Sequence, residues 1–131
     1  MKPLLITLVI MTNVLNFELA LDKKQQEIGL MGRKSWGKID GMLFIHEKPS
    51  QVAYWMKDTY LEMYMIFFDS NLKAKEIYKP KPLSTEVIFT SNKNIKYVLE
   101  LNTKYSNFTK GEDLELLSKK LRLKLKELEV F

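Results

Sequence analysis

Residues Val52 to Ser70, VAYWMKDTYLEMYMIFFDS, set Lys57 and Asp58 beside Trp55 in a run crowded with methionine, tyrosine and phenylalanine. In extended backbone, side chains two residues apart share a face, so Trp55 and Lys57 fall together and Met56 falls opposite. An indole wall beside an ammonium group suits the capture of a small anion. The same residues also suit structural closure, with an amphipathic tryptophan at the core edge and charged side chains tied into ion pairs and turns. The methionines and Phe67-Phe68 are assigned to packing, because methionine is first a filler of irregular gaps. Signatures of catalysis are missing: the chain has no cysteine, no Gly-x-Ser-x-Gly elbow, no phosphate-cradling Gly-Lys-Ser/Thr loop and no histidine besides His46. His46 is read as a surface or strand-edge residue. No run of spaced acids resembles a calcium loop, and neither a metal nor another cofactor is expected.

These residues must be positioned by one modest scaffold. A chain of 131 residues, 46% apolar and 28% charged, has the length and balance of a single folded domain. With no cysteine, packing alone must hold it. The net charge of +5 is moderate, so the distribution of basic residues matters more than their sum. At the start, MKPLLITLVIM imitates a secretory signal. The only small residue placed for cleavage is Ala20, with Glu18 where a second small residue is needed, and the apolar run is too short to cross a bilayer. The stretch is read instead as a hairpin kept in the mature protein, ITLVIM and VLNFELAL joined at Thr12-Asn13. A cytoplasmic protein without a membrane span is expected.

Further along, Asp22 and Gln25 form an N-cap and capping-box pair that starts a short helix, and Gly29, Gly32 and Gly37 turn the chain after it. Strands are expected over IDGMLFIHEKP, QVAYWMK, LEMYMIFFD, SNLKAKEIYKP and IKYVLELN. In the last, Ile95, Tyr97, Leu99 and Leu101 alternate with Lys96, Val98, Glu100 and Asn102. KPKPL, with Pro80 and Pro82, cannot be a central strand and is an extended loop. Beyond Gly111, Leu114, Leu117, Leu121, Leu125 and Leu128 recur at helical spacing, with Glu112 and Asp113 at the favourable end. The alternation of Leu121, Leu123 and Leu125 keeps a strand as the rival reading. The division expected is a β-rich domain over 1–111 and a leucine-rich helical extension over 112–131.

Four of these stretches in order, ELALDKKQQEIGLMGRK, GMLF, YWMKDT and YVLELN, together resemble the family known as domain of unknown function 192, or uncharacterised protein family 0127. Gly29, Leu30, Met31 and Arg33 match its first motif, Gly41 to Phe44 its second, Trp55, Met56, Lys57 and Thr59 its third, and Leu99, Glu100 and Leu101 its last. The resemblance spans roughly Val14 to Leu114. It implies a compact β-rich fold, a barrel-like sheet with one or two helices, and an activity that is not established; with the elements above, the fold expected is α+β, a compact barrel-like antiparallel sheet with one short N-terminal helix and a C-terminal helix. Three positions depart from the pattern: Asp58 stands where Asn is usual, Glu62 for Pro, and Tyr64 for Asp.

With that resemblance, the ligand-binding candidates are Arg33, Trp55, Lys57, Asp58 and Glu100, with Arg33 as a bidentate partner for a carboxylate or phosphate. The structural alternative ties Lys57, Asp58, Arg33 and Glu100 into fixed ion pairs. The leading expectation is a non-enzymatic module for a small anionic ligand or a protein partner. A hydrolase or lyase with Glu100 and Lys57 as acid and base is the alternative. Nucleic acid, through Lys73, Lys75, Lys79 and Lys81 with Tyr78, or through Lys119, Lys120, Arg122, Lys124 and Lys126, is not favoured. The second group reads as the solvated face of an amphipathic helix, whose leucine stripe could also meet a protein partner.

Overall fold

A computed structural model of the chain describes residues 3–129. The charged start of the signal-like segment, Met1-Lys2, lies outside them.

The expected hairpin forms. β1 (Leu5–Ile10) and β2 (Asn13–Ala20) pair antiparallel from Leu5↔Glu18 to Ile10↔Asn13, and Met11, with φ 58°, makes the turn one residue earlier than the sequence suggests. Helix α1 (Lys23–Ile28) starts at Asp22 with a complete capping box: Gln25 N–H donates to Asp22 Oδ1 at 2.7 Å, and Asp22 N–H donates to Gln25 Oε1 at 3.2 Å. After a loop come β3 (Gly41–Ser50), the two-residue β4 (Ala53–Tyr54), β5 (Met63–Asp69), β6 (Ala74–Tyr78), the two-residue β7 (Ile88–Phe89) and β8 (Ile95–Asn102). A 3₁₀ segment, Thr103–Thr109, leads into α2 (Gly111–Glu127), so the leucine-rich tail is helix and not strand.

Six strands form one sheet in the order β1-β2-β3-β8-β5-β6, and β4 pairs separately with β7. The sheet is open. Its end strands β1 and β6 do not pair, so the barrel expected from the resemblance does not close. One face of the would-be lumen is filled by α2, whose Leu117, Leu121 and Leu125 are buried with Leu15, Phe17, Ile66 and Leu99. Nor is the sheet wholly antiparallel. β2 and β3 run parallel from Phe17↔Gly41 to Ala20↔Phe44, because the chain crosses over through α1 before returning.

The other face carries Met42, Phe44, Met63, Met65, Phe67 and Val98 beneath Leu30, Ile39, Val52, Met56 and Leu61 from the loops. β5 is therefore covered on both sides, as its unbroken apolar pattern suggests. Gly41 is needed where β3 begins: a Cβ there would stand 2.6 Å from the Glu100 carbonyl oxygen and 3.1 Å from the Phe17 ring. No helix among the described residues is long and apolar enough to cross a membrane.

Candidate functional site

The loop-covered face carries two acids on one rung. Register places Glu18 beside Met42, Met42 beside Glu100, and Glu100 beside Met65. With neighbouring strands about 4.8 Å apart, the two acids sit about 10 Å from each other with the Met42 side chain between them. Both are buried, Glu18 at 8% and Glu100 at 5% exposure, yet their surroundings differ.

Glu18 is met by Arg33, whose Nη1 and Nη2 donate to Oε1 and Oε2 at 3.1 and 2.7 Å, a two-pronged charge-assisted contact. Glu100 has no such partner. None of the described residues donates a hydrogen bond to its carboxyl or pairs with it. Burial alone pushes that carboxyl up to about 8, so at neutral pH it holds its proton.

Above Glu100 opens a cavity of about 340 Å³, whose lining includes Phe44 and His46 of β3, Tyr54 of β4, Trp55, Thr59, and Ile28 to Met31 at the end of α1. Strand alternation sends Met42, Phe44 and His46 to the same face. Tyr54 Oη and His46 Nε2 share a hydrogen bond of 2.7 Å. The Tyr54 ring stands edge-on to Phe44 and Phe67 at 5.3 and 5.6 Å. Burial first, and the nearby Glu100 second, hold the Tyr54 hydroxyl well above the ordinary phenol range. Burial pulls the His46 imidazole down and favours its neutral form. The floor of the cavity is thus an acid, a phenol and an imidazole, all uncharged at neutral pH. α1 is fixed over the rim by Gln26, whose Nε2 donates to the carbonyls of Ala20 and Ile45 at 3.1 and 2.8 Å.

The profile of domain of unknown function 192, described as Uncharacterized ACR, matches residues 7–115. The chain belongs to this family. Among solved structures, the domain resembles one from Sinorhizobium meliloti 1021 described as a "putative transcription regulator", with 35% identity, a TM-score of 0.66, and coverage of 77% of this chain and 83% of that one. It shares its fold with a protein of unknown function from Novosphingobium aromaticivorans, at 24% identity, a TM-score of 0.63, and coverage of 76% of this chain and 73% of that one. No curated protein matches the chain.

Of the five residues singled out in this domain of unknown function 192 protein, the fold brings Trp55 and Glu100 to one cavity and keeps the other three outside its lining. The stretch around Trp55 is not the continuous strand expected. Only Ala53 and Tyr54 pair with β7, because the chain is pulled into a turn at Lys57-Asp58, closed by Thr59 N–H to the Met56 carbonyl at 3.1 Å. Lys57 is exposed, with its Nζ 5.3 Å from the centre of the Trp55 ring. Asp58 takes φ 55°, a backbone region that Asp and Asn tolerate better than most residues, and its carbonyl accepts Gly32 N–H at 2.8 Å. That is a physical reason for either residue to occupy this position. Among the described residues the ion pairs are Arg33–Glu18, Lys75–Asp69 and Lys124–Glu127, so the expected set linking Lys57, Asp58, Arg33 and Glu100 does not form.

Glu18 and Tyr54 were not among the sequence candidates, and His46, expected at the surface or a strand edge, is instead half-buried in the cavity lining against Tyr54. Glu18 carried a signal, an acid inside the apolar run VLNFELAL, and so did His46, two residues after Phe44 in a strand. Tyr54 carried none beyond being aromatic.

Proposed function

We propose that this protein is a non-enzymatic binding module and that its ligand, a small organic molecule, sits in the cavity above Glu100. One observation carries the reading: Glu100, a residue only 5% exposed, turns its carboxyl to an open cavity with no hydrogen-bond or ion-pair partner among the described residues. A carboxyl that the protein leaves to the cavity is free to hydrogen-bond a polar group that enters in place of water. The remaining walls, Ile28, Leu30, Phe44, Ala53 and Trp55, suit an apolar body. The small anion suggested by Lys57 and Arg33 has less support here, since Arg33 is engaged by Glu18 and the acid, not a base, forms the floor.

The test uses a Trp36→Phe background, which leaves Trp55 as the reporter. Millimolar panels of small amines, alcohols, amides, carboxylates and phosphates are followed by Trp55 emission and thermal shift. At least one class is expected to perturb both readouts, and Ile28→Trp, which crowds the cavity, is expected to abolish the thermal shift. Silence of every class would end the proposal.

A second reading, acid-base chemistry on a bound substrate, is favoured by the proton that Glu100 keeps near neutral pH. It would have to proceed without Lys57 as its electrophile. Regulation through nucleic acid, suggested by the description of the Sinorhizobium structure, has weaker support in this chain. Of the basic residues named for it, Lys75 and Lys124 pair with acids and Arg122 Nε donates to the Asn71 carbonyl.

A further inference from the structure

We propose that the ligand of this cavity is a small organic cation, a protonated amine on an apolar body, whose ammonium group pairs with the Glu100 carboxylate between the walls of Tyr54 and Trp55. The inference rests on the binding role proposed above and assigns the ligand's charge. Three acids are buried among the described residues, Glu18, Asp69 and Glu100. The first two are neutralised from within the chain. Glu18 holds Arg33, while Asp69 accepts the Asn71 and Lys73 N–H groups, each at 2.9 Å, and lies 3.6 Å from Lys75. Among the described residues only the third lacks a positive partner, and it opens on a cavity.

The surroundings fit a cation better than an anion or a neutral acceptor. Phe44, Tyr54 and Trp55 offer aromatic surface, Trp55 already holding the exposed Lys57 ammonium 5.3 Å from its ring centre, and a cation over a ring is attracted by its quadrupole. A carboxylate or phosphate would instead meet a second acid. The charged and titratable groups facing the site are Lys23 and Glu27 of α1, which are of opposite sign at the mouth, His46 of β3 and Tyr54 of β4. None supplies a cation to the floor. The exchange balances simply: the ammonium enters with its proton, and Glu100 releases its own to water.

That exchange makes the affinity depend on pH in a direction that separates ligand classes. Cyclohexylamine, benzylamine and tetramethylammonium are compared by calorimetry with cyclohexanol, benzamide and benzoate, from pH 6.5 to 9. Amines are expected to bind at least tenfold more tightly than their neutral or anionic counterparts. Their affinity is expected to rise about tenfold per pH unit below pH 8 and to level above it, as one proton is released on binding. Glu100→Gln, checked for folding by circular dichroism, is expected to flatten the profile and to lose at least tenfold in affinity. Tighter binding of cyclohexanol or benzamide, with affinity falling above pH 8, would overturn the proposal, because Glu100 would then be acting as a neutral donor. The binding role would survive that result. Failure of all six probes would overturn both.

Discussion

Replacing Glu100 by Gln isolates one buried proton and exposes its thermodynamic weight. In the folded chain the carboxyl keeps its proton to about pH 8, against an ordinary value of 4.5. Between those limits the folded state binds one proton that the unfolded state has lost, so stability falls as pH rises. The slope is about 1.4 kcal/mol per pH unit, and the window of about 3.5 units makes the whole loss about 5 kcal/mol, a large part of the stability of a domain this size. His46 acts in the opposite direction and lower: its neutral form is favoured, so its contribution is lost as pH falls below about 6.5. The interval from pH 6.5 to 8 therefore belongs to Glu100. Urea unfolding of wild type and Glu100→Gln at half-unit steps from pH 5 to 9 should show the wild type losing about 4 kcal/mol relative to the variant, the share of that loss lying above pH 5. Parallel curves across that range would refute the claim that this carboxyl is buried without a partner.

Three further outcomes follow from the same geometry. Arg33→Met leaves Glu18 at 8% exposure with no base and should destabilise by about 2 kcal/mol in urea, discounted from the fully buried case because Arg33 is partly in water. Gly41→Ala drives a methyl group to 2.6 Å from the Glu100 carbonyl oxygen; a loss of about 3 kcal/mol and a disturbed β3–β8 pairing by amide exchange are expected. Truncation after Lys110 strips Leu117, Leu121 and Leu125 from the core at about 2 kcal/mol each, so the shortened chain should melt without cooperativity. That result would show α2 to be needed by the domain, whereas a sharp transition would make it a separable extension.

Much of the scaffold was legible in order of residues. Alternation in LEMYMIFFD and IKYVLELN gave β5 and β8 their faces, Asp22 with Gln25 gave α1 its start, and the leucine spacing after Gly111 gave α2. These signals are local, because a strand or helix writes its period into neighbouring residues. Less legible was the stretch from Gln51 to Thr59. Its apolar letters suggest a strand, but its path is set by distant groups: Thr90 Oγ1 accepts Val52 N–H at 3.1 Å, and the Ser84 carbonyl accepts Met56 N–H at 3.1 Å.

By itself the sequence determined the types of the longer elements, the unbroken apolar pattern of β5 and the choice of Trp55 and Glu100 as residues of interest. Only the tertiary structure decided that Arg33 answers Glu18, that Lys57 lies in an exposed turn, and that Glu100 meets His46 and Tyr54 at a cavity. The Arg33–Glu18 and Glu100–His46–Tyr54 meetings join separate strands and loops, and charge pairing depends on distance in space and on exclusion of water. The crossover through α1, which sets β2 parallel to β3 and so brings Glu18 level with Glu100, has no local signature at all.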